Sequence, residues 1–231
     1  MIRFNLQRKD IFVTSKLATK DQGYENTIAA VKSSLKRLDL EYIDLYLIHW
    51  PGTAGLAPDD PQNVVNRQQS WRALEDLKES GVLKAIGVSN YLKHHLEDMK
   101  ASARMMPAVN QFELHPAHVP HEVIEFCSQH DIFIQTYASL GEGRLLNAEF
   151  LAKYPDFNRI AEKHNASVPQ VLLNWAVAHG WGVIPKSVHA DRIRSNFALY
   201  EFKLDSEDML YLDNFHKQES FKTCWDPAIV I

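Results

Sequence analysis

A chain of 231 residues, 45% of them hydrophobic, can bury one sizeable core and reads as a single domain, residues 1–231. A formal charge of −4 leaves no basic field for nucleic acid or an anionic membrane, and Cys127 and Cys224 are too few and too distant for a disulfide framework. No run approaches the roughly 18 apolar residues of a membrane span and no secretion signal opens the chain, so a soluble cytoplasmic protein is expected.

Strand-like runs alternate with helical patterns along the whole chain. The first candidate strand, Ile11–Ser15, ends just before Lys16. Ile28, Val31, Leu35 and Leu38 then recur at spacings of three and four, predicting a helix buried on that face. Ile43–His49 is a near-continuous apolar run leading into Trp50-Pro51, the pattern of a parallel strand buried on both faces. Trp71, Leu74 and Leu77 mark a second helix that Gly81 stops. Candidate strands Ala85–Ser89, Ala108–Gln111 and Ile132–Tyr137 follow. Ser167-Val168-Pro169-Gln170 reads as a capping box opening an apolar helix through Val171, Leu172, Trp175 and Val177. Gly182–Pro185 is the last candidate strand, and Asp205 is placed to cap a closing helix, with Leu204 and Met209 as its staple.

Strand–helix repetition means a parallel sheet with helical crossovers. A doubly wound sheet and a barrel share that pattern. The strand ends favour the barrel, because they carry Lys16, His49, Ser89-Asn90, Gln111, Tyr137 and Lys186-Ser187, and a (β/α)8 barrel builds its site from such a ring. Each residue also has an ordinary reading: a lysine leaving a strand, a structural histidine, a packed tyrosine, short polar side chains bonded to one another. The run His115-Pro116-Ala117-His118-Val119-Pro120-His121 makes a poor metal site, since two prolines break the face that evenly spaced ligands need. No G-x-G-x-x-G or Walker motif is present.

Thr14-Ser15-Lys16-Leu17, His49-Trp50-Pro51, Gly87-Val88-Ser89-Asn90, Val109 to Pro116, and Ile184-Pro185-Lys186-Ser187-Val188 with Arg192 and Asn196 occur in order across the chain. Together they resemble the aldo-keto reductase family. The resemblance implies a TIM barrel that reduces aldehydes or ketones with NADP(H), hydride passing to the carbonyl carbon while a tyrosine protonates the alkoxide. Lys16 matches the ammonium that lowers the tyrosine pKa from about 10. His49 matches the histidine that orients the carbonyl, and Trp50 the aromatic wall of the substrate pocket. Ser89, Asn90 and Gln111 correspond to residues holding the nicotinamide carboxamide, and Tyr137 to the ring on which nicotinamide stacks. Ala138-Ser139-Leu140-Gly141 departs from the family's Ser-Pro-Leu-Gly and loses a pyrophosphate hydroxyl, leaving Leu140 in place. Lys186, Ser187, Val188, Arg192 and Asn196 match positions for the 2′-phosphate and adenine, favouring NADP over NAD.

The family carries an aspartate and its catalytic tyrosine upstream of the lysine strand. Only fifteen residues precede Lys16; they hold no tyrosine, and Asp10 corresponds to the position just before that strand. The expectation is an N-terminally truncated barrel with about six of eight β/α units and impaired catalysis. The alternative is a catalytically silent NADP-binding or interaction protein.

Overall fold

The computed structural model describes residues 5–231, which form two compact units. The first takes the residues up to Gln111 with Glu125–Ile132 and Pro227–Ile231; the second takes Phe112–Ile124 and Phe133–Asp226. No helix among the described residues is long and apolar enough to cross a membrane.

In the first unit β1 (Thr14–Leu17), α1 (Tyr24–Leu38), β2 (Ile43–Ile48), α2 (Gln62–Glu79), β3 (Leu83–Ser89), α3 (Lys93–Ser102) and β4 (Val109–Glu113) alternate, the last two residues of β4 belonging to the second unit. The strands pair in chain order and in parallel, with Lys16 opposite Leu47, Leu47 opposite Gly87, and Ser89 opposite Gln111. Side chains alternate between the two faces of a strand. Leu45, Leu47 and Val109 therefore share one face, where they bury together against Ala85. Tyr46 takes the other face, its hydroxyl 3.3 Å from Ser34 Oγ on α1.

Two local expectations shift. β1 begins at Thr14 rather than Ile11, because the Val13 N–H donates to the Asp44 carboxylate at 2.8 Å and Phe12 is 69% exposed. Lys16 consequently lies inside the strand, not after it. On α1 the buried stripe is Thr27, Val31 and Ser34, while Leu38 is exposed. Thr27 Oγ1 donates to the Gly23 carbonyl at 2.6 Å, and Ser34 meets Tyr46. Polar side chains that are hydrogen-bonded can be buried, so hydropathy found Val31 and the half-buried Ile28 and Leu35 but missed Thr27 and Ser34.

The last residues of the chain pack on α2 and α3. Leu92 N–H donates to His95 Nδ1 (3.1 Å), so the ring proton sits on Nε2 and is donated to the Val230 carbonyl at 3.0 Å. Burial lowers the His95 pKa to about 3, which keeps that tautomer neutral. Arg67 donates to the Ile231 carbonyl and to Asp98.

The second unit holds the start of α4 (His121–Gln129), then β5 (Phe133–Tyr137), α5 (Ala148–Lys153), α6 (Asp156–Lys163), α7 (Val168–Ala178), β6 (Gly182–Val183), α8 (Ala190–Phe197) and α9 (Ser206–Asn214). β5 and β6 are parallel, with Gln135 opposite Gly182. β6 stops short of Pro185, which has no N–H to extend a ladder. The capping box forms as expected, Ser167 N–H donating to Gln170 Oε1 at 2.8 Å. Asp205 caps α9 through the N–H groups of Glu207 and Asp208.

Gly87 is the most tightly enclosed glycine of the first unit. A Cβ there would lie 2.5 Å from the Val109 carbonyl oxygen and 2.7 Å from Leu47 Cδ2. Overpacking of this kind costs about 1–3 kcal/mol. Gly87→Ala should therefore lower the urea midpoint by a corresponding amount, and an unchanged midpoint would show that β3 and β4 can move apart freely.

Candidate functional site

The register of the first unit sets one row of side chains above another. Lys16, Leu47 and Gly87 stand in register on one face. Two residues further along, the same alternation brings His49, Ser89 and Gln111 to that face, His49 just past the end of β2, Ser89 at the end of β3 and Gln111 in the middle of β4. The His49 N–H donates to the Leu17 carbonyl at 3.2 Å and so fixes the histidine beside the end of β1.

Lys16 is half-buried, and loss of hydration lowers its pKa. Burial also lowers the His49 pKa, and the Lys16 charge lowers it further, so at neutral pH the imidazole is neutral. Neither side chain has an ion-pair or hydrogen-bond partner among the described residues. A half-buried cation beside a neutral imidazole can polarise an oxygen placed against both.

Trp50 lies with its ring 6.0 Å from that of His49. Its carbonyl accepts from Gln22 Nε2 at 2.8 Å, as does that of Gly52 at 3.0 Å, while Gln22 Oε1 accepts from Thr53 Oγ1 at 2.9 Å. Gln22 thereby pins the turn that follows His49. A lone glutamine in a polar loop gave no sequence signal of that role.

Ser89, Asn90 and Gln111 are buried. Ser89 Oγ donates to the Gln111 carbonyl at 2.7 Å, and Asn90 N–H donates to the same oxygen at 2.9 Å. Asn90 adopts φ 64°, a left-handed conformation that asparagine tolerates. Its Nδ2 donates to the His49 carbonyl at 3.0 Å and to Ser89 Oγ at 3.1 Å. These side chains tie three strand ends together.

Tyrosines in this unit serve other contacts. Tyr24 donates to Asp76 at 2.6 Å, the Tyr42 ring lies 3.9 Å under the Arg8 guanidinium, Tyr46 meets Ser34, and Tyr91 is fully buried. Among the described residues no tyrosine hydroxyl of this unit is hydrogen-bonded to Lys16 or His49.

In the second unit Tyr137 ends β5 half-buried, its pKa raised first by burial and then by Cys224 and Glu113. Glu113 is a residue whose role the sequence did not disclose. Its buried carboxylate accepts from Thr223 N–H (2.6 Å), Thr223 Oγ1 (2.8 Å), Cys224 N–H (2.8 Å) and His115 Nε2 (3.1 Å). These donors overcome the burial that would raise its pKa and hold it at about 2. Glu113 thus clamps the segment beside Tyr137, and His115 is committed to it.

Leu140 lies inside the turn that the Gly141 N–H closes on the Ala138 carbonyl at 2.7 Å, just before the 3-10 segment Gly141–Leu146. Lys186, Val188 and Arg192 are exposed, while Ser187 and Asn196 are half-buried. Arg192 and Asn196 lie four apart on α8 and so share a face. Lys186 and Arg192 have no ion-pair partner among the described residues, which leaves both cations available to an anion.

The sequence from residue 3 to residue 217 matches the model of the aldo/keto reductase family. Glyoxal reductase of Bacillus subtilis is 43% identical over 212 residues, covering 92% of this chain and 71% of that protein. The 9,11-endoperoxide prostaglandin H2 reductase of Trypanosoma cruzi is 41% identical, covering 92% of this chain and 70% of that protein. Among solved structures, an aldo/keto reductase from Brucella melitensis superposes with a TM-score of 0.81 at 39% identity, over 91% of this chain and 76% of that one. A Gox0644 variant in complex with NADPH gives 0.83 at 36% identity, over 96% and 76%. These relatives support a TIM-barrel type of fold. A family match beginning at residue 3 lends no support to the expected N-terminal truncation.

The coupling between Lys16 and His49 is measurable directly. Lys16→Met should raise the His49 pKa toward the ordinary imidazole value of about 6.5, leaving only the burial contribution. NMR titration of the His49 ring protons would read it, and an unchanged or lower pKa would mean that the ammonium does not act on the imidazole.

Proposed function

The chain belongs to the aldo/keto reductase family, and on that premise we propose that it is an NADP(H)-dependent oxidoreductase of small aldehydes and ketones, with Lys16 and His49 as its catalytic pair. The observation that carries the reading is the row of His49, Ser89 and Gln111 on one face of adjacent strands, with the Lys16 charge acting on His49. Trp50 supplies an aromatic surface beside the histidine for the body of the substrate. Residues 1–231 act as one barrel-type domain, a reading that the family match across both units supports.

The neutral imidazole of His49 donates its N–H to the carbonyl oxygen of the substrate and fixes its orientation. Lys16 places positive charge where the oxygen becomes an alkoxide. Because both groups are partly desolvated, that stabilisation is stronger than in water. Bound NADPH supplies the hydride. Ser89, Asn90 and Gln111 are assigned to its carboxamide and Tyr137 to its ring. Leu140, Lys186, Ser187, Val188, Arg192 and Asn196 are assigned to its phosphates and adenine. The fit to a phosphate rests on Lys186 and Arg192, which are exposed and have no acidic partner among the described residues.

The proton is the weak point. With no tyrosine hydroxyl hydrogen-bonded to the pair among the described residues of the first unit, His49 is the donor at hand, and a neutral imidazole is a weak acid. General acid catalysis contributes about 10²–10⁴-fold, so turnover by this chain should fall short of its reductase relatives by that order. The same observation favours a second reading, a protein that binds NADP(H) without catalysing transfer.

Two measurements test the proposal. Fluorescence titration should show tighter binding of NADPH than of NADH, with the preference weakened about tenfold or more by Arg192→Ala, since a charge-assisted contact contributes roughly 1.5–3 kcal/mol. Equal affinity for the two nucleotides removes the basis for NADP. In the assay of NADPH oxidation with glyoxal or methylglyoxal, trace turnover abolished by His49→Ala is expected. Binding with no turnover at all would select the silent reading, and fast turnover would show that another group delivers the proton.

A further inference from the structure

His121 opens α4, and His216 lies in the single 3-10 turn Phe215–Lys217 that follows α9. Although 95 residues separate them, their Nε2 atoms are 3.3 Å apart, with ring centroids at 4.9 Å and planes at 62°. Both residues belong to the second unit, and neither has a part in the proposed hydride transfer.

The spacing of the two rings points the pair toward a metal. Two Zn–N bonds of about 2.0–2.1 Å at a tetrahedral angle set their nitrogens roughly 3.3–3.4 Å apart, which is the separation found here. His121 is exposed and His216 half-buried, so the remaining coordination positions open to water.

The backbones are held in advance. Phe215 is fully buried, with its ring 4.8 Å from Phe157 and 4.9 Å from Tyr154. The N–H groups of Val123 and Ile124 each bond the Pro120 carbonyl at 3.1 Å, setting the first turn of α4.

We propose that His121 and His216 form a two-nitrogen site for a borderline divalent transition-metal ion such as Zn²⁺. Imidazole pairs select this class over Mg²⁺ and Ca²⁺, which require oxygen ligands. Sequence spacing disguised the site: His121 ends a proline-broken run of histidines, and its partner comes from the far end of the chain. The other candidate cluster, His164 with Asp205 and Asp208, is already served by Lys163 Nζ, which donates to both carboxylates at 2.5 to 3.1 Å. It provides the control.

The test is Zn²⁺ titration of the full chain in competition with a chromophoric chelator, with circular dichroism to show that each variant is folded. Loss of an outer partner alone costs a metal site about 10–100-fold, so His121→Ala, an exposed substitution, should weaken binding at least tenfold. His216→Ala should do the same, His164→Asn should leave the site intact, and Mg²⁺ should not compete. Absence of a saturable Zn²⁺ site in the unaltered chain would overturn the proposal. So would equal affinity in His121→Ala, or a loss confined to His164→Asn.

Discussion

Parallel register between β1, β2, β3 and β4 is the constraint from which the first unit's chemistry follows. With Lys16 opposite Leu47, two-residue alternation brings His49 to the face of the lysine. A slip of one residue would carry His49 to the side of Tyr46 and Ile48 and turn Leu45 and Leu47 away from Val109. Each fully buried leucine is worth roughly 1.5–3 kcal/mol relative to exposure, so such a slip costs several kcal/mol before any hydrogen bond is counted. Packing on both faces resists it, and Gly87 lets β3 and β4 approach closely enough to keep Ser89 against Gln111.

Within that frame, two kinds of buried ionisable group separate by whether their bonds are complete. Glu113 has four donors, and these hold its pKa at about 2 in spite of burial. Its charge is satisfied inside the protein, and its work is to fasten Thr223 and Cys224. Lys16 is the opposite case: burial lowers its pKa, and no acid among the described residues pairs with it. His49 beside it carries the same penalty with the lysine's repulsion added. Desolvated groups with unused bonding capacity gain most when a polar atom arrives, which is why shifted pKa values gather where ligands bind.

Much of the strand pattern was legible in the sequence, because β2 is a long apolar run and its end is marked by His49-Trp50-Pro51. β3 and β5 were legible for similar reasons. The start of β1 was not: Asp44, from the neighbouring strand, bonds the Val13 N–H where a ladder was expected, and Arg8 joins the same carboxylate at 2.6 Å. The buried face of α1 was legible only in part, through Val31, because Thr27 and Ser34 are polar yet bonded. Partnerships across long stretches of chain escaped altogether, among them Glu113 with Thr223 and Gln22 with Trp50. Periodicity reports which face of an element is apolar and carries no information on which distant loop will meet it. The recurrence of ordered motifs supplied the family, while the contacts that hold each motif in place came only from the structure.

The burial of the candidate residues also divides the chemistry by its response to solvent. Lys186 and Arg192 are exposed, so their attraction for a phosphate is screened over a distance of about 8–10 Å at ordinary ionic strength. Nothing inside the protein has to be desolvated when they are unoccupied, so keeping them free costs the fold little. Lys16 and His49 are half-buried, so in the proposed function their effect on a developing alkoxide would be screened less by ions. In the proposed function, recognition of the nucleotide's charge would thus fall to groups that are cheap to expose. Stabilisation of reaction charge, on the same proposal, would fall to groups that the strand register must hold at a cost. That cost is borne by the leucine-lined face of β2, which links the packing of this unit directly to the chemistry proposed for it.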